Sequence, residues 1–178
     1  MSSKKQNLAS LNIVLYQPEI AENVGNIMRT CVAFNAVLHL IRPYGFFFNK
    51  FDPRIKRASA NHLNGLQIYE YDTYASFVRT NQVNDQQIYF LTRYGTKQPR
   101  KISLIKPQQI YFVFGKESTG IPLAILKKHR AHTIRIPSSI NLRSLNLANT
   151  VAMMCYEFAC QNQYRGLAIK EPHKRLKI

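Results

Sequence analysis

Short apolar runs alternate with amphipathic stretches along the chain. Residues 11–16 (LNIVLY) read as a buried strand. Residues 23–34 follow with Val24, Ile27, Met28 and Cys31 at helical spacing, which predicts a helix with one apolar face. Residues 36–41 are the next strand. Asp52 and Pro53 then supply an N-cap and a proline at the first helical position, opening a basic helix through about residue 61. Residues 66–71 form a further strand, with a short helix from Thr73. Three more apolar, β-branched or aromatic strands follow at 87–91, 110–114 and 133–136. The last strong element is a helix over 144–163, with Leu147, Val151, Met154 and Phe158 along one stripe. Strands alternating with helices imply an α/β domain whose mostly parallel sheet is covered on both faces. Such sheets bind ligands at the carboxyl ends of their strands, so the loops after Leu91, Phe114 and Ile136 are the places to look for chemistry.

At 178 residues the chain fits one domain, with a globular core over about 8–165 and a basic tail over 166–178. The charge balance adds more. Lys and Arg total 25 against 9 Asp and Glu, a net charge of +16, which is the electrostatic footprint of a polyanion partner. A solvated basic surface and attraction to anionic lipid are the plainer readings. No apolar run reaches the length needed to span a membrane, and the polar start over residues 1–7 predicts no signal peptide. Cys31, Cys155 and Cys160 form no CxxC pair and read as reduced thiols of a cytoplasmic protein, without a catalytic role.

Several catalytic motifs fail on inspection. GKESTG (115–120) has P-loop glycine spacing but is followed by Ile121 and Pro122 rather than Lys and Ser or Thr. Neither GxGxxG nor a G-x-S-x-G elbow occurs. His129 and His132 lack the further ligands a metal would need, so they read as part of a solvated basic helix and no metal is expected.

Three polar segments at strand ends remain. The first carries Asn23, Gly25, Asn26 and Arg29. The second runs Phe114, Gly115, Lys116, Glu117, Ser118, Thr119, Gly120, Ile121, Pro122. The third is Ile136 and Pro137 followed by Arg143, Ser144, Leu145, Asn146 and Leu147. Individually, Asn23 and Ser144 read as helix caps and Gly120 as a turn. Together they resemble, in order and spacing, the N-x-G-N-x-x-R, F-G-x-E-x-x-G-[IL]-P and I-P…R-S-L-N-L motifs of TrmH-type RNA 2′-O-methyltransferases of the SPOUT superfamily. The short chain and the LNIVLYxPEI opening are most similar to the minimal TrmL-like enzymes, which methylate the ribose of tRNA nucleotide 34 in certain leucine tRNAs. Val24 stands where those proteins commonly have threonine, and Ala21 and Glu22 where proline is frequent.

The resemblance implies a carboxyl-terminal deep trefoil knot, a homodimer packed through the first and last helices, S-adenosylmethionine as cofactor and tRNA as partner. It implies cofactor contacts from Leu91, Thr92, Gly115, Glu117, Ile136, Ser144 and Leu145. Glycine at 115 would permit close approach of the ligand. Catalysis is implied for Arg29, Asn23, Glu117, Ser144 and Asn146. Arg29 would clamp a phosphate and stabilise charge on the 2′ oxygen. Glu117 would orient Arg29 or a backbone loop, and Asn23 and Asn146 would fix the hydroxyl or the knot loops. RNA contacts are expected from Arg29, Arg42, Arg54, Lys56, Arg57, Arg93, Lys97, Arg100, Lys101 and Arg143. Tyr44 and the three phenylalanines 46–48 are candidates for base stacking, with a buried loop as the alternative. A methyltransferase for another tRNA or rRNA position, and a non-catalytic basic RNA-binding protein, are the competing readings.

Overall fold

The computed structural model describes residues 10–49, 52–59, 63–105 and 109–172. The start over 1–7, the expected helix end near 61 and the tail beyond 172 lie outside the described residues.

Six strands, β1 (Leu11–Tyr16), β2 (Val37–Ile41), β3 (Ile68–Tyr71), β4 (Ile88–Leu91), β5 (Ile110–Gly115) and β6 (Thr133–Ile134), form a sheet in the order β3-β2-β1-β5-β4-β6. Every pairing is parallel. The order reverses at β1, where Tyr16 pairs with Gly115, and such a reversal opens a crevice at the carboxyl edge.

Because side chains alternate across the sheet, each strand feeds two cores. Leu11, Ile13, Leu15, Leu38, Leu40, Phe112 and Phe114 face α1 (Ala21–Ala33), α2 (Pro53–Ala58) and α5 (Leu147–Gln161). Val14, Ile41, Phe90, Tyr111 and Val113 face α3 (Tyr74–Thr80) and α4 (Leu123–Lys128), which bury Phe77 and Leu126. The apolar stripes through Val24, Ile27 and Cys31 and through Val151, Met154 and Phe158 are buried within this one chain, where α1 packs on α5.

Local chemistry sets the helix starts. Asp52 accepts from the Arg54 N–H at 2.8 Å ahead of Pro53, and Thr73 and Ser76 form a reciprocal capping box. The sequence places the other two starts wrongly. α1 begins at Ala21, two residues before Asn23, whose amide points instead into the interior and is 6 % exposed. α5 begins at Leu147 with Asn146 as its cap, accepting from Ala148 and Asn149, so Ser144 lies exposed before the helix. The strand expected over 133–136 stops at Ile134. The basic helix read around His129 is α4, but His129 at its end is no solvated residue: it is 7 % exposed, stacks on Phe90 at 4.9 Å and pairs with Asp85 at 3.2 Å.

Two glycines of the motifs are backbone requirements. At Gly115 φ is +104°, and a Cβ would lie 2.5 Å from the Tyr16 carbonyl oxygen. Close packing onto β1 thus explains this glycine without invoking a ligand. Gly115→Ala should cost about 2 kcal/mol of stability, read as a lowered Tm, because it adds both strain and a backbone clash. At Gly25 a Cβ would lie 2.7 Å from that of Ala58, so this glycine lets α1 approach α2.

Candidate active site

At the carboxyl edge, the loops after β4, β5 and β6 enclose a cleft of about 1080 Å³. Its walls include Leu91, Thr92, Gly115, Glu117, Ile136, Ser144 and Leu145, all seven residues implied for cofactor contact. Asn23, Asn146, Arg93 and Arg143 join them. Residues spread over more than 120 positions of sequence therefore meet at one place. Apolar Leu91, Ile136 and Leu145 offer a dry slot, and the basic side chains of Lys116, Arg93, Arg135 and Arg143 surround it.

A hydrogen-bonded chain holds the three motifs together. Asn146 Nδ2 donates to Asn23 Oδ1 at 3.0 Å, and Asn23 Nδ2 donates to Glu117 Oε1 at 3.0 Å. Glu117 Oε2 accepts from the Glu19 backbone N–H at 2.9 Å. Glu19 returns the contact, its carboxylate accepting from the Ser118 N–H at 2.8 Å and hydroxyl at 2.7 Å. The Ser118 hydroxyl bond is foremost in holding the Glu19 carboxyl below its ordinary pKa. Each Glu117 oxygen thus accepts a bond from the first segment, one from the Asn23 amide and one from the Glu19 N–H. Asn23 and Asn146 tie loops to one another in the same way.

Removing the Glu117 carboxylate leaves Asn23 and the Glu19 N–H without their acceptors. Glu117→Ala should therefore cost about 2 kcal/mol and weaken ligand binding in the cleft, read by thermal melts and calorimetry.

Arg29 stands apart from the cleft walls. It is exposed on α1, six residues beyond Asn23, and among the described residues nothing engages its side chain. Other cations expected to meet RNA are already engaged. Arg42 pairs with Glu70 at 3.0 Å and Asp72 at 3.1 Å, Arg54 pairs with its own cap Asp52 at 2.9 Å, and Arg93 lies over the Tyr94 ring at 4.7 Å. Arg57 and Lys56 are exposed on α2. Arg100 reaches Glu157 at 3.3 Å, away from the cleft.

Sequence reasoning missed the Glu19–Ser118 clasp and Arg135. Glu19 belongs to the LNIVLYxPEI opening, Ser118 falls at a variable position of the second motif and Arg135 stands one residue before the third segment. Two of the thiols are poor nucleophiles: burial pushes Cys155 up to about 12, and burial, then the neighbouring Cys155, pushes Cys31 well above its ordinary value. Among the described residues no cluster of three or more His, Cys, Asp or Glu is placed to hold a metal ion, and no helix is long and apolar enough to cross a membrane.

The profile of the SpoU rRNA Methylase family matches residues 10–156. The chain belongs to that family. A Mycoplasma pneumoniae relative assigned by name as a tRNA (cytidine(34)-2′-O)-methyltransferase is 44 % identical over 161 residues, spanning 89 % of this chain and 95 % of the relative. A solved structure described as giving insight into 2-OH methylation of C/U34 on tRNA superposes with a TM-score of 0.77 at 33 % identity, covering 88 % of this chain and 99 % of that one. The SpoU methyltransferase AviRb of Streptomyces viridochromogenes, solved with AdoMet, shares the fold at 20 % identity and a TM-score of 0.70. The match covers 90 % of this chain and 60 % of AviRb.

Proposed function

We propose that this SpoU-family protein transfers a methyl group from S-adenosylmethionine to the ribose 2′-hydroxyl of the wobble nucleotide, position 34, of tRNA, with leucine tRNAs as substrates. The observation that carries the reading is the convergence of the three motif segments on one cleft, joined through Asn146, Asn23 and Glu117. End-to-end similarity to the wobble-position relative supports the substrate.

The residues present fit the cofactor. The apolar slot of Leu91, Ile136 and Leu145 would take an adenine, Thr92 and the backbone at Gly115 would meet the ribose, and Ser144 would border the methionyl end. When bound, S-adenosylmethionine supplies an electrophilic methyl group whose in-line transfer requires close alignment with the acceptor oxygen. Glu117, Asn23 and Asn146 keep the cleft walls in register for that alignment. The Arg29 guanidinium stays protonated, so its part is electrostatic: it clamps a substrate phosphate and stabilises negative charge developing on the 2′ oxygen. Arg57 and Arg143 add phosphate contacts along the basic surface.

The same reading includes one domain with the trefoil knot, a homodimer and residence in the cytoplasm. The chain path supports the knot: from the edge strand β6 it returns past Asn23 to lay α5 on α1. Met153 and Tyr156, 46 % and 55 % exposed on α5, are apolar surface for a second copy now that the buried stripes are spent on the chain's own core. A second reading, methylation of ribosomal RNA, draws on the description of the family profile. Offering purified tRNA and rRNA fragments with labelled cofactor separates them: label in tRNA alone is expected, and label in rRNA alone overturns the substrate.

A further inference from the structure

The loop after β2 divides its aromatic residues sharply. Tyr44, Phe46 and Phe48 turn inward, with ring centroids 6.0, 5.6 and 6.4 Å apart, and pack against the main core. Phe47, between two inward-facing rings, is 83 % exposed. A single exposed ring is common on a protein surface; what marks this one is its place between two half-buried rings in a loop at the carboxyl edge of the sheet.

The loop is anchored to the cleft wall. The Gly45 N–H donates to the Pro18 carbonyl at 2.9 Å, and a Cβ at Gly45 would lie 2.7 Å from the Glu19 Cα and carbonyl oxygen. Glu19 is the residue clasped to Glu117 and Ser118 at the cleft. Phe47 therefore stands on the same carboxyl edge of the sheet as the cleft, one loop away and two residues from the anchored Gly45. Exposed cations lie on the next helix and its neighbour, Lys56 and Arg57 on α2 and Arg29 on α1, which packs against α2, while Glu70, bonded to Tyr44, is paired with Arg42. An exposed ring on a surface that carries such cations suits single-stranded RNA, which offers base faces for stacking and phosphates for the cations.

We propose that Phe47 is the platform on which an unpaired base next to the target nucleotide stacks, an inference that rests on the tRNA reading above. Stacking fixes the height of the flanking base and so sets which ribose reaches the cleft. Phe47 touches RNA and acts on substrate binding; the reacting atoms are elsewhere.

The test uses the full-length protein and an anticodon stem-loop with 2-aminopurine replacing the base that follows the wobble nucleotide. Phe47→Ala and Phe47→Leu should raise KM and Kd for the RNA by roughly 5- to 150-fold, the range that loss of one base–aromatic stack spans. Both should lose the fluorescence quenching that wild type shows on binding. Phe47→Trp should restore affinity and quenching. Tm, S-adenosylmethionine affinity and kcat at saturating RNA should stay at wild-type values in all three. Wild-type KM and quenching in Phe47→Ala, in an enzyme that methylates position 34, would overturn the stacking role and leave the functional reading standing. Phe47-dependent quenching with no methyl transfer to position 34 supports the platform and removes the wobble assignment. A change in oligomeric state for Phe47→Ala would assign the ring to a protein interface and overturn the proposal.

Discussion

Arg29→Ala should lower kcat for methyl transfer by roughly 100- to 1000-fold, the loss typical when one charge-stabilising donor is removed from a transition state. The fold should be indifferent to the change. Arg29 is exposed on α1 and, among the described residues, no ion pair or hydrogen bond holds its side chain, so Tm should stay near the wild-type value. Cofactor affinity should also hold, because Arg29 is not among the cleft walls. Arg29→Lys is the informative companion. It keeps the charge but loses the planar fork that grips a phosphate, so its activity should fall between the two. A large drop in Tm, or kcat unchanged in Arg29→Ala, would move the charge-stabilising role to another residue.

The second large effect is acid lability built into the opposite face of the sheet. His39 on β2 is 2 % exposed, and burial lowers its pKa to about 4. Its neighbours account for the neutral form. Nε2 meets the Asn12 side-chain oxygen at 3.0 Å, which can only accept, so the ring proton sits there. Nδ1 then accepts from the Tyr71 hydroxyl at 3.0 Å, and Tyr71 in turn accepts from Asn81 Nδ2 at 3.0 Å. The rings of Tyr69, Tyr71, Phe77 and Tyr111 close the site, and none of these neighbours carries a charge to balance an imidazolium.

An unfolded histidine titrates near 6.5, so between about pH 6.5 and pH 4 the unfolded chain binds a proton the folded one refuses. Stability is therefore full above that window and declines as pH falls through it, by roughly 3 kcal/mol in all. Urea unfolding at steps of pH should show the slope. His39→Gln should start less stable at neutral pH yet lose much less across the same window, keeping the decline due to His129, whose pKa burial also lowers. Losses from carboxylates held low, Glu19 and Asp52 among them, begin only at the acid end, near their own unfolded values. A wild-type stability flat between pH 6.5 and pH 4 would contradict the neutral assignment.

The sheet was legible because its strands are short, mostly apolar and separated by helical periodicity, the pattern of a parallel sheet covered on both faces. Helix ends were legible where the cap is local, as with Asp52 and Thr73. They were missed where a long-range partner captures the candidate cap. Ser144 was misplaced for a local reason, because Asn146 two residues on caps α5, whereas Asn23 looks like a helix start until Glu117, 94 residues away, takes its amide. His129 was misread for the same reason: its burial depends on Phe90 and Asp85, which spacing within α4 does not reveal.

Motif resemblance named the candidate residues, and the fold brings Asn23, Glu117, Ser144 and Asn146 to one cleft while leaving Arg29 outside its walls. Their division of labour was not legible. That Gly115 answers to Tyr16, and that Glu117 answers to Glu19 and Asn23, are facts of strand pairing and loop contact. Ion pairs with Glu70, Asp72 and Asp52 likewise withdraw Arg42 and Arg54 from the pool of free cations, although in sequence they look the same as Arg57.

Mapping the methylated nucleotide is the most direct test of the account. A leucine tRNA lacking the modification is incubated with labelled S-adenosylmethionine and the protein, then hydrolysed in alkali. A ribose methylated at the 2′ oxygen resists cleavage at its 3′ phosphodiester, so the reading predicts a single gap in the ladder at nucleotide 34, present with wild type and absent with Arg29→Ala. Label incorporated into a base, or a gap at any other nucleotide, would contradict it.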